Sequence, residues 1–432
     1  MCAGLAGQNR AGRDSRQLHS VQSCFSPCRR PHICRRPEKV ELPLNAPRLK
    51  RFVTDSLDAL YSQANECAEG HIWKLPSFWQ GECPIGERLG LYSGDLGTLL
   101  LLAAADRENG TTRSFPLLNK FKSRVSSLEG SFLDTIGIGH GTGSLIYGAL
   151  LLSQLTQDED WVEQSARLAA TLSVDAIRYH LEPDLLSGQA GLLLALTRLV
   201  EVTDSKEFLS KAQVCLAALI DRFSTDEGWK RPNGDSSPGF AHGSAGVAFS
   251  AASFAKLSGD ETAVRLTRKA LEFDRKFYSE VDYNWPVLAK AESPWMVAWC
   301  NGRPGILLAR LAANQILEDS RLAEEIDTCL EHFSVPAQLD FWCCGRSGAA
   351  EILHDCGLAL GKQEYVAAAK HIVDEILERA YRTCFFRFST DFAENYCFQP
   401  SLFRGLAGIA YSALRSVAPE KYPSLIAFDL VR

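Results

Sequence analysis

Ser187-Gly188-Gln189-Ala190-Gly191, running straight into Leu192-Leu193-Leu194-Ala195-Leu196, is the stretch whose reading decides the fold. A small-residue turn feeds directly into an apolar run long enough for a buried helix. The same texture recurs in Ser93-Gly94-Asp95-Leu96-Gly97, Gly139-His140-Gly141-Thr142-Gly143 and His242-Gly243-Ser244-Ala245-Gly246. It returns in Asn301-Gly302-Arg303-Pro304-Gly305, Cys344-Gly345-Arg346-Ser347-Gly348 and Arg404-Gly405-Leu406-Ala407-Gly408. The second glycines fall at 97, 143, 191, 246, 305, 348 and 408. Their spacing of roughly 45 to 60 residues holds two helices and two connections.

The two halves of each repeat differ. After the glycines the sequence is apolar on every side, as in Thr98–Ala105, Ser144–Leu152, Leu192–Leu199 and Val247–Phe254. Such a helix must be buried on every side. The second half is amphipathic and charged, as in Asp160–Ile177, Lys206–Phe223, Glu261–Tyr278 and Gln363–Tyr381, and covers a core while facing water. The pattern predicts an all-α fold. Seven inner helices wrapped by seven outer helices close one α/α toroid over residues 46–432, although 432 residues would otherwise suggest several domains. Glycine at each helix start lets seven termini crowd around a common axis. Their first backbone N–H groups, unpaired within the helix, are expected to make one rim the place for a site.

The rest of the chain narrows the function classes. It is 46% hydrophobic and 23% charged, with a net charge of −6, and no apolar run approaches the roughly 20 residues of a membrane helix. The charge is divided: residues 1–51 carry eleven Lys/Arg against three Asp/Glu, leaving an acidic body of balance −14. An acidic body argues against nucleic acid as a partner. Residues 1–45, basic, Cys-containing and without apolar periodicity, are expected to be a disordered segment. Its Cys24, Cys28, His32 and Cys34 have no framing elements and are read as no metal site. Fourteen cysteines in a chain this long show no disulfide framework, so a reducing, cytoplasmic setting is expected.

Three loops carry residues that a purely structural repeat does not need: Phe240-Ala241-His242-Gly243, Trp299-Cys300-Asn301-Gly302 and Trp342-Cys343-Cys344-Gly345. Cys300, Cys343 and Cys344 lie just ahead of helix starts in adjacent repeats, so they should converge. Three thiols with an open fourth position suit a catalytic zinc ion. The competing reading makes all three small buried hydrophobes.

The chain from about residue 47 resembles the lanthionine synthetase C-like (LanC-like) cyclase family, and especially the C-terminal cyclase domain of class II lanthipeptide synthetases. The resemblance is carried by Asp184-Leu185-Leu186-Ser187-Gly188-Gln189-Ala190-Gly191, Phe240-Ala241-His242-Gly243, Trp295 through Gly302, Trp342-Cys343-Cys344-Gly345 and Leu402 through Tyr411. It implies an α/α toroid with a central Zn²⁺. Cys300 and Cys343 match the family's two cysteine ligands, and Cys344 stands where a histidine is usual. His242 matches the histidine proposed for proton transfer, and Asp184 an acidic residue near it. An arginine that some stand-alone members carry is Met296 here, with Arg303 as a candidate substitute.

The implied chemistry is addition of a peptide cysteine thiol to dehydroalanine or dehydrobutyrine, forming lanthionine or methyllanthionine thioethers. The partner is a dehydrated precursor peptide. The toroid carries no dehydratase ahead of it, so either a separate dehydratase prepares that peptide or the chain is a fragment or a diverged relative. The alternative function is a non-cyclising zinc-bearing protein that binds thiols or partner proteins. Asp184 could instead cap its helix, and His242 could be a satisfied core histidine. His140 is read as structural, and His354-Asp355 as helix surface or a packing pair. A glycosidase on a toroid would need paired rim carboxylates, and only Asp95 and Asp184 offer themselves.

Overall fold

A helix with no polar face needs a second layer around it, and the chain supplies one by alternation. The structure, a computed structural model, describes residues 46–64, 72–73, 84–128, 135–290, 292–390 and 399–430. All of these belong to one unit, Lys39–Arg432. The expectations for residues 1–45, including the Cys24, Cys28, His32 and Cys34 group, lie outside the described residues.

The first helices in chain order are α1 (Ala46–Gln63), α2 (Ile85–Leu89), α3 (Asp95–Asn109), α4 (Phe115–Ser126), α5 (Thr142–Thr156) and α6 (Asp160–Thr171). Next come α7 (Val174–Arg178), α8 (Gln189–Thr203), α9 (Lys206–Asp221), α10 (Ser244–Ser258) and α11 (Glu261–Arg275). The last are α12 (Arg303–Asn314), α13 (Ser320–Glu331), α14 (Arg346–Leu360), α15 (Gln363–Thr383) and α16 (Leu406–Arg415). Helices α3, α5, α8, α10, α12, α14 and α16 are the inner ring. Helices α6, α9, α11, α13 and α15 cover it, α1 packs on α16, and α4 buries Leu118, Phe121 and Val125 as a further outer member. The protein is the α/α toroid that its repeats predict. Among the described residues there is no strand, only three isolated bridges in the loops.

Burial follows the two textures. In α8 every residue from Gln189 to Thr197 is buried, whereas α6 buries only Trp161, Gln164, Ser165, Leu168 and Ala169. Each fully buried leucine of the inner ring contributes about 1.5–3 kcal/mol. One outer helix ends earlier than its periodicity suggests. Residues 160–177 break at Leu172–Ser173, and the Ser173 side chain accepts from Ala176 N to start α7.

The inner helices all start at a glycine, and their loops join in a closed ring of backbone hydrogen bonds. Tyr92 N donates to Gly139 O, Gly139 N to Leu186 O, Leu186 N to Ala241 O and Ala241 N to Cys300 O. Trp299 N then donates to Cys343 O, Cys343 N to Phe403 O, and Phe403 N back to Tyr92 O, all at 3.0–3.2 Å. This ring ties repeat seven to repeat one and closes the toroid at the rim that carries the helix starts.

Two sequence expectations change here. The helix-start amides are not open to a ligand: Gln189 N, Ala190 N and Gly191 N donate to the carbonyls of Glu182, Pro183 and Asp184, and other repeats do likewise. The loop itself satisfies the donors that a helix leaves unpaired, so the rim's chemistry must come from side chains. The glycines are also needed for a more local reason than crowding at an axis. A Cβ on Gly305 or Gly348 would lie 1.9 or 1.8 Å from the carbonyl oxygen of Trp299 or Trp342.

Candidate metal and proton-transfer site

The ring sorts the loop residues into columns. Two residues before each cap glycine stand Tyr92, Gly139, Leu186, Ala241, Cys300, Cys343 and Phe403, and all are buried. One residue before it stand Ser93, His140, Ser187, His242, Asn301, Cys344 and Arg404, of which all except Asn301 are half-exposed. The second column is therefore the part of the loops that meets solvent at the rim. His140 belongs to this column, because α5 is capped by Gly141 rather than by position 140. Ser144 takes the place that a second glycine holds elsewhere, and its hydroxyl accepts from Leu91 N at 2.7 Å. His140 stands edge-on to the Tyr92 ring, with centroids 5.2 Å apart.

Cys300 and Cys343 occupy the same column in neighbouring repeats, and Cys344 adds the next position. The three Sγ atoms lie within 4.8 Å of one another. Cys300 to Cys344 measures 3.8 Å and Cys343 to Cys344 3.4 Å. Four ligands at the usual Zn–S length of a tetrahedral site would set sulfurs about 3.8 Å apart, so this donor set fits zinc in both chemistry and spacing. Cys300 and Cys343 are buried while Cys344 reaches the half-exposed column, which puts any fourth position toward the rim. Among the described residues this is the single cluster of at least three potential metal ligands.

His242 and Asp184 meet next to it. The His242 Nδ1 lies 2.6 Å from Asp184 Oδ2, and the backbone beside His242 is bonded to the thiol loop through Ala241 N and Cys300 O at 3.0 Å. Asp184 is 1% exposed. It does not cap α8, whose Gly188 start has no side-chain cap; its Oδ1 accepts from Ser187 N at 2.7 Å. Burial alone would raise its carboxyl, but His242, the Ser187 amide and Arg231 together hold it below the usual carboxylate range. Arg231, with Nε 3.6 Å from Asp184 Oδ2 and 3.4 Å from Glu182 Oε2, escapes the sequence reading. It sits in the non-repeating insertion ahead of α10, where no periodicity marks it.

The remaining candidates are structural. Asp95 accepts from Ile72 N and Trp73 N, and burial raises its carboxyl to about 6. It therefore holds a loop and does not pair with Asp184 as a glycosidase would need. Arg303 does not replace the family arginine by contact with the thiols: it donates to Tyr283 O and Ser334 Oγ. Asp355 pairs with Arg415 and accepts from Ser424 Oγ, and His354 is buried beside it. They are a packing pair.

Residues 87–427 match the family described as lanthionine synthetase C-like protein. The solved structure of nisin cyclase is similar in fold, with a TM-score of 0.63 at 16% identity over 88% of this chain and 97% of that one. A sugar epimerase from a ruminal bacterium has a TM-score of 0.46 at 12% identity, covering 64% of this chain and 86% of its own. An inactive α-1,6-mannanase variant from Salegentibacter sp. has a TM-score of 0.45 at 10% identity, over 74% and 99%. Comparison with curated proteins gave no match. No helix among the described residues is long and apolar enough to cross a membrane.

Proposed function

The chain belongs to the lanthionine synthetase C-like family, and on that premise we propose that it is a zinc-dependent peptide cyclase. Its substrate is a dehydrated precursor peptide, and its product carries lanthionine or methyllanthionine thioether rings. One observation carries the reading: three thiols converge within 4.8 Å on one rim, with the His242–Asp184 pair on the adjoining loop.

Cys300, Cys343 and Cys344 would hold the ion. When bound, zinc lowers the pKa of a peptide cysteine so that its thiolate persists at neutral pH. The thiolate sulfur forms a bond to the β-carbon of dehydroalanine or dehydrobutyrine, and the electrons of the carbon–carbon double bond move toward the α-carbon. That carbon must take up one proton. His242 is suited to give it, because Asp184 fixes Nδ1–H and leaves the transferable proton on Nε2. Burial of Cys300 and Cys343 keeps bulk water from two of the sulfurs, while the half-exposed column that includes Cys344 would admit the peptide.

The test is single-turnover ring closure of a dehydrated test peptide, read as loss of peptide thiol by mass spectrometry. The native protein loaded with zinc should close rings, and His242→Asn should slow closure by about 10²-fold, within the usual range for a lost acid. Zinc bound without closure in the native protein would overturn the cyclase and favour a thiol-binding, non-cyclising role.

A further inference from the structure

Three residues before each cap glycine lies another buried column: Leu91, Ile138, Leu185, Phe240, Trp299, Trp342 and Leu402. Five of the seven side chains are hydrocarbon and only fill space. The two exceptions are the residues immediately ahead of Cys300 and Cys343. Both are tryptophans, and both are at most 1% exposed. An indole buried this deeply needs a partner for its N–H, and each has found one in the last part of the chain. Trp299 Nε1 donates to Ile426 O at 3.0 Å. Trp342 Nε1 donates to Ser412 Oγ, on α16, at 2.8 Å.

The Ile426 acceptor is itself fixed, and Ser412 is carried by α16. The segment around Ile426 has its carbonyls captured on both sides by inner-helix side chains. Tyr411 Oη donates to Pro423 O, Arg198 Nε to Phe428 O, and Tyr147 Oη to Asp429 O, at 2.7–2.9 Å. Ser424 Oγ donates to Asp355 Oδ2. The rings are held as well. Trp299 packs between Phe403 and Phe240 at centroid distances of 4.8 and 5.5 Å, and Trp342 meets Phe403 and Tyr411 at 5.4 and 5.9 Å. The two loops are also joined to each other through Trp299 N and Cys343 O.

We infer that Trp299 and Trp342 are positioning residues for the thiol cluster, and that the chain from Ser412 to Ile426 is the frame that sets the separation of Cys300 from Cys343. The inference rests on the thiol-site reading above and extends it to residues that touch no metal and no substrate. An indole tether on the residue next to each cysteine restricts where that sulfur can move. Hydrogen-bonded supports of this kind commonly change metal affinity by about 10- to 100-fold when removed.

The experiment compares Trp299→Phe, Trp342→Phe and Ser412→Ala with Trp229→Phe in the full chain. Trp229 is the control: its Nε1 donates to Leu219 O at 2.8 Å in an equally buried setting, but it adjoins no thiol. Zinc affinity is read by competition with a chelator, and the cobalt-loaded proteins by their thiolate charge-transfer band. The three tether variants should bind zinc at least about tenfold more weakly and shift the cobalt band. The control should do neither, whatever stability it loses. In metal-free protein, iodoacetamide labelling followed by peptide mass spectrometry should show faster alkylation of Cys300 in Trp299→Phe and of Cys343 in Trp342→Phe. If the native protein takes up no metal, the zinc reading fails and the labelling still decides the tether. Native-like affinity, band and labelling in the tether variants, or equal changes in Trp229→Phe, overturns the inference.

Discussion

The rim divides into two regions built in different ways. Beyond the backbone ring that every loop shares, loops five and six anchor their sulfurs through core elements: two buried indoles and close-packed aromatic rings. Loops three and four present Asp184 and His242, whose placement rests on polar contacts: one carboxylate–imidazole bond, the Ser187 amide and a long ion pair from Arg231. A metal cluster needs fixed distances among several donors, so it is best cut into the rigid repeat. A proton donor needs one ring oriented and its nitrogen reachable, so a half-exposed position with a charged partner suffices. The difference separates two kinds of failure. Damage to the thiol half should remove the metal and the reaction together, whereas damage to the proton half should leave the metal in place.

Cys343→Ala gives the largest effect. The cluster loses one of its two buried donors, and two thiols are left for a site that fits zinc with three. Metal content, read by elemental analysis and expected near one equivalent in the native protein, should fall to a small fraction, and ring closure should stop. Full metal content in this variant would move the site off loops five and six and dissolve the comparison.

How much of this division the sequence reveals depends on whether a feature repeats. The seven glycine turns and the alternation of apolar and amphipathic halves specify the toroid, because each residue type has one physical use at its position. Cys300, Cys343 and Cys344 stand out because they interrupt that pattern. His242 and Asp184 take their roles from the family resemblance, and the pattern itself leaves Asp184 open to a capping role that Gly188 does not use. Arg231 and the Ile426 carbonyl are invisible for a different reason. They lie in non-repeating segments, and their partners are 47 to 127 residues away in the chain. The columns themselves become readable only once the cap glycines are known, as the one-residue shift at His140 shows.

Asp184→Asn comes next and belongs to the proton half. The amide keeps the shape but can present its NH₂ group to Nδ1, selecting the wrong imidazole tautomer, and it weakens the 2.6 Å contact that orients the ring. Ring closure should slow by about 10- to 100-fold while zinc content stays at the native level. A variant that lost its zinc in parallel would show that the two halves are one structural unit.

Cys344→His is smaller and tests the exposed member of the thiol half. Imidazole is a competent zinc ligand at nearly the same coordination distance, so metal content should hold. Replacing a thiolate by a neutral ligand raises the charge of the loaded site by one unit and makes the peptide sulfur less nucleophilic. Single-turnover closure should slow by a few-fold, on the order of 1 kcal/mol in barrier. Equal or faster closure would discard the electronic role of Cys344.

Arg231→Gln should have the smallest effect, and its sign can be read from pH. Arg231 is one of the groups that hold the Asp184 carboxyl below its ordinary value of 3.8, after burial has pushed the other way. A carboxyl depressed in the folded state contributes stability at pH values above its unfolded pKa, and loses it as pH falls through the folded value. The native protein should therefore exceed Arg231→Gln in thermal midpoint at pH 7, by the equivalent of less than about 1 kcal/mol for a partly exposed pair at this distance. The gap should close as pH falls through the lowered folded value of the Asp184 carboxyl, where the proton goes on and the charge interaction disappears. His242 Nδ1 remains 2.6 Å from the carboxylate without help from Arg231, so ring closure should fall by no more than a few-fold. A gap that stays constant while Asp184 takes up its proton would mean that Arg231 acts by packing its stem against the insertion. The proton half would then rest on the His242–Asp184 contact and the Ser187 amide alone.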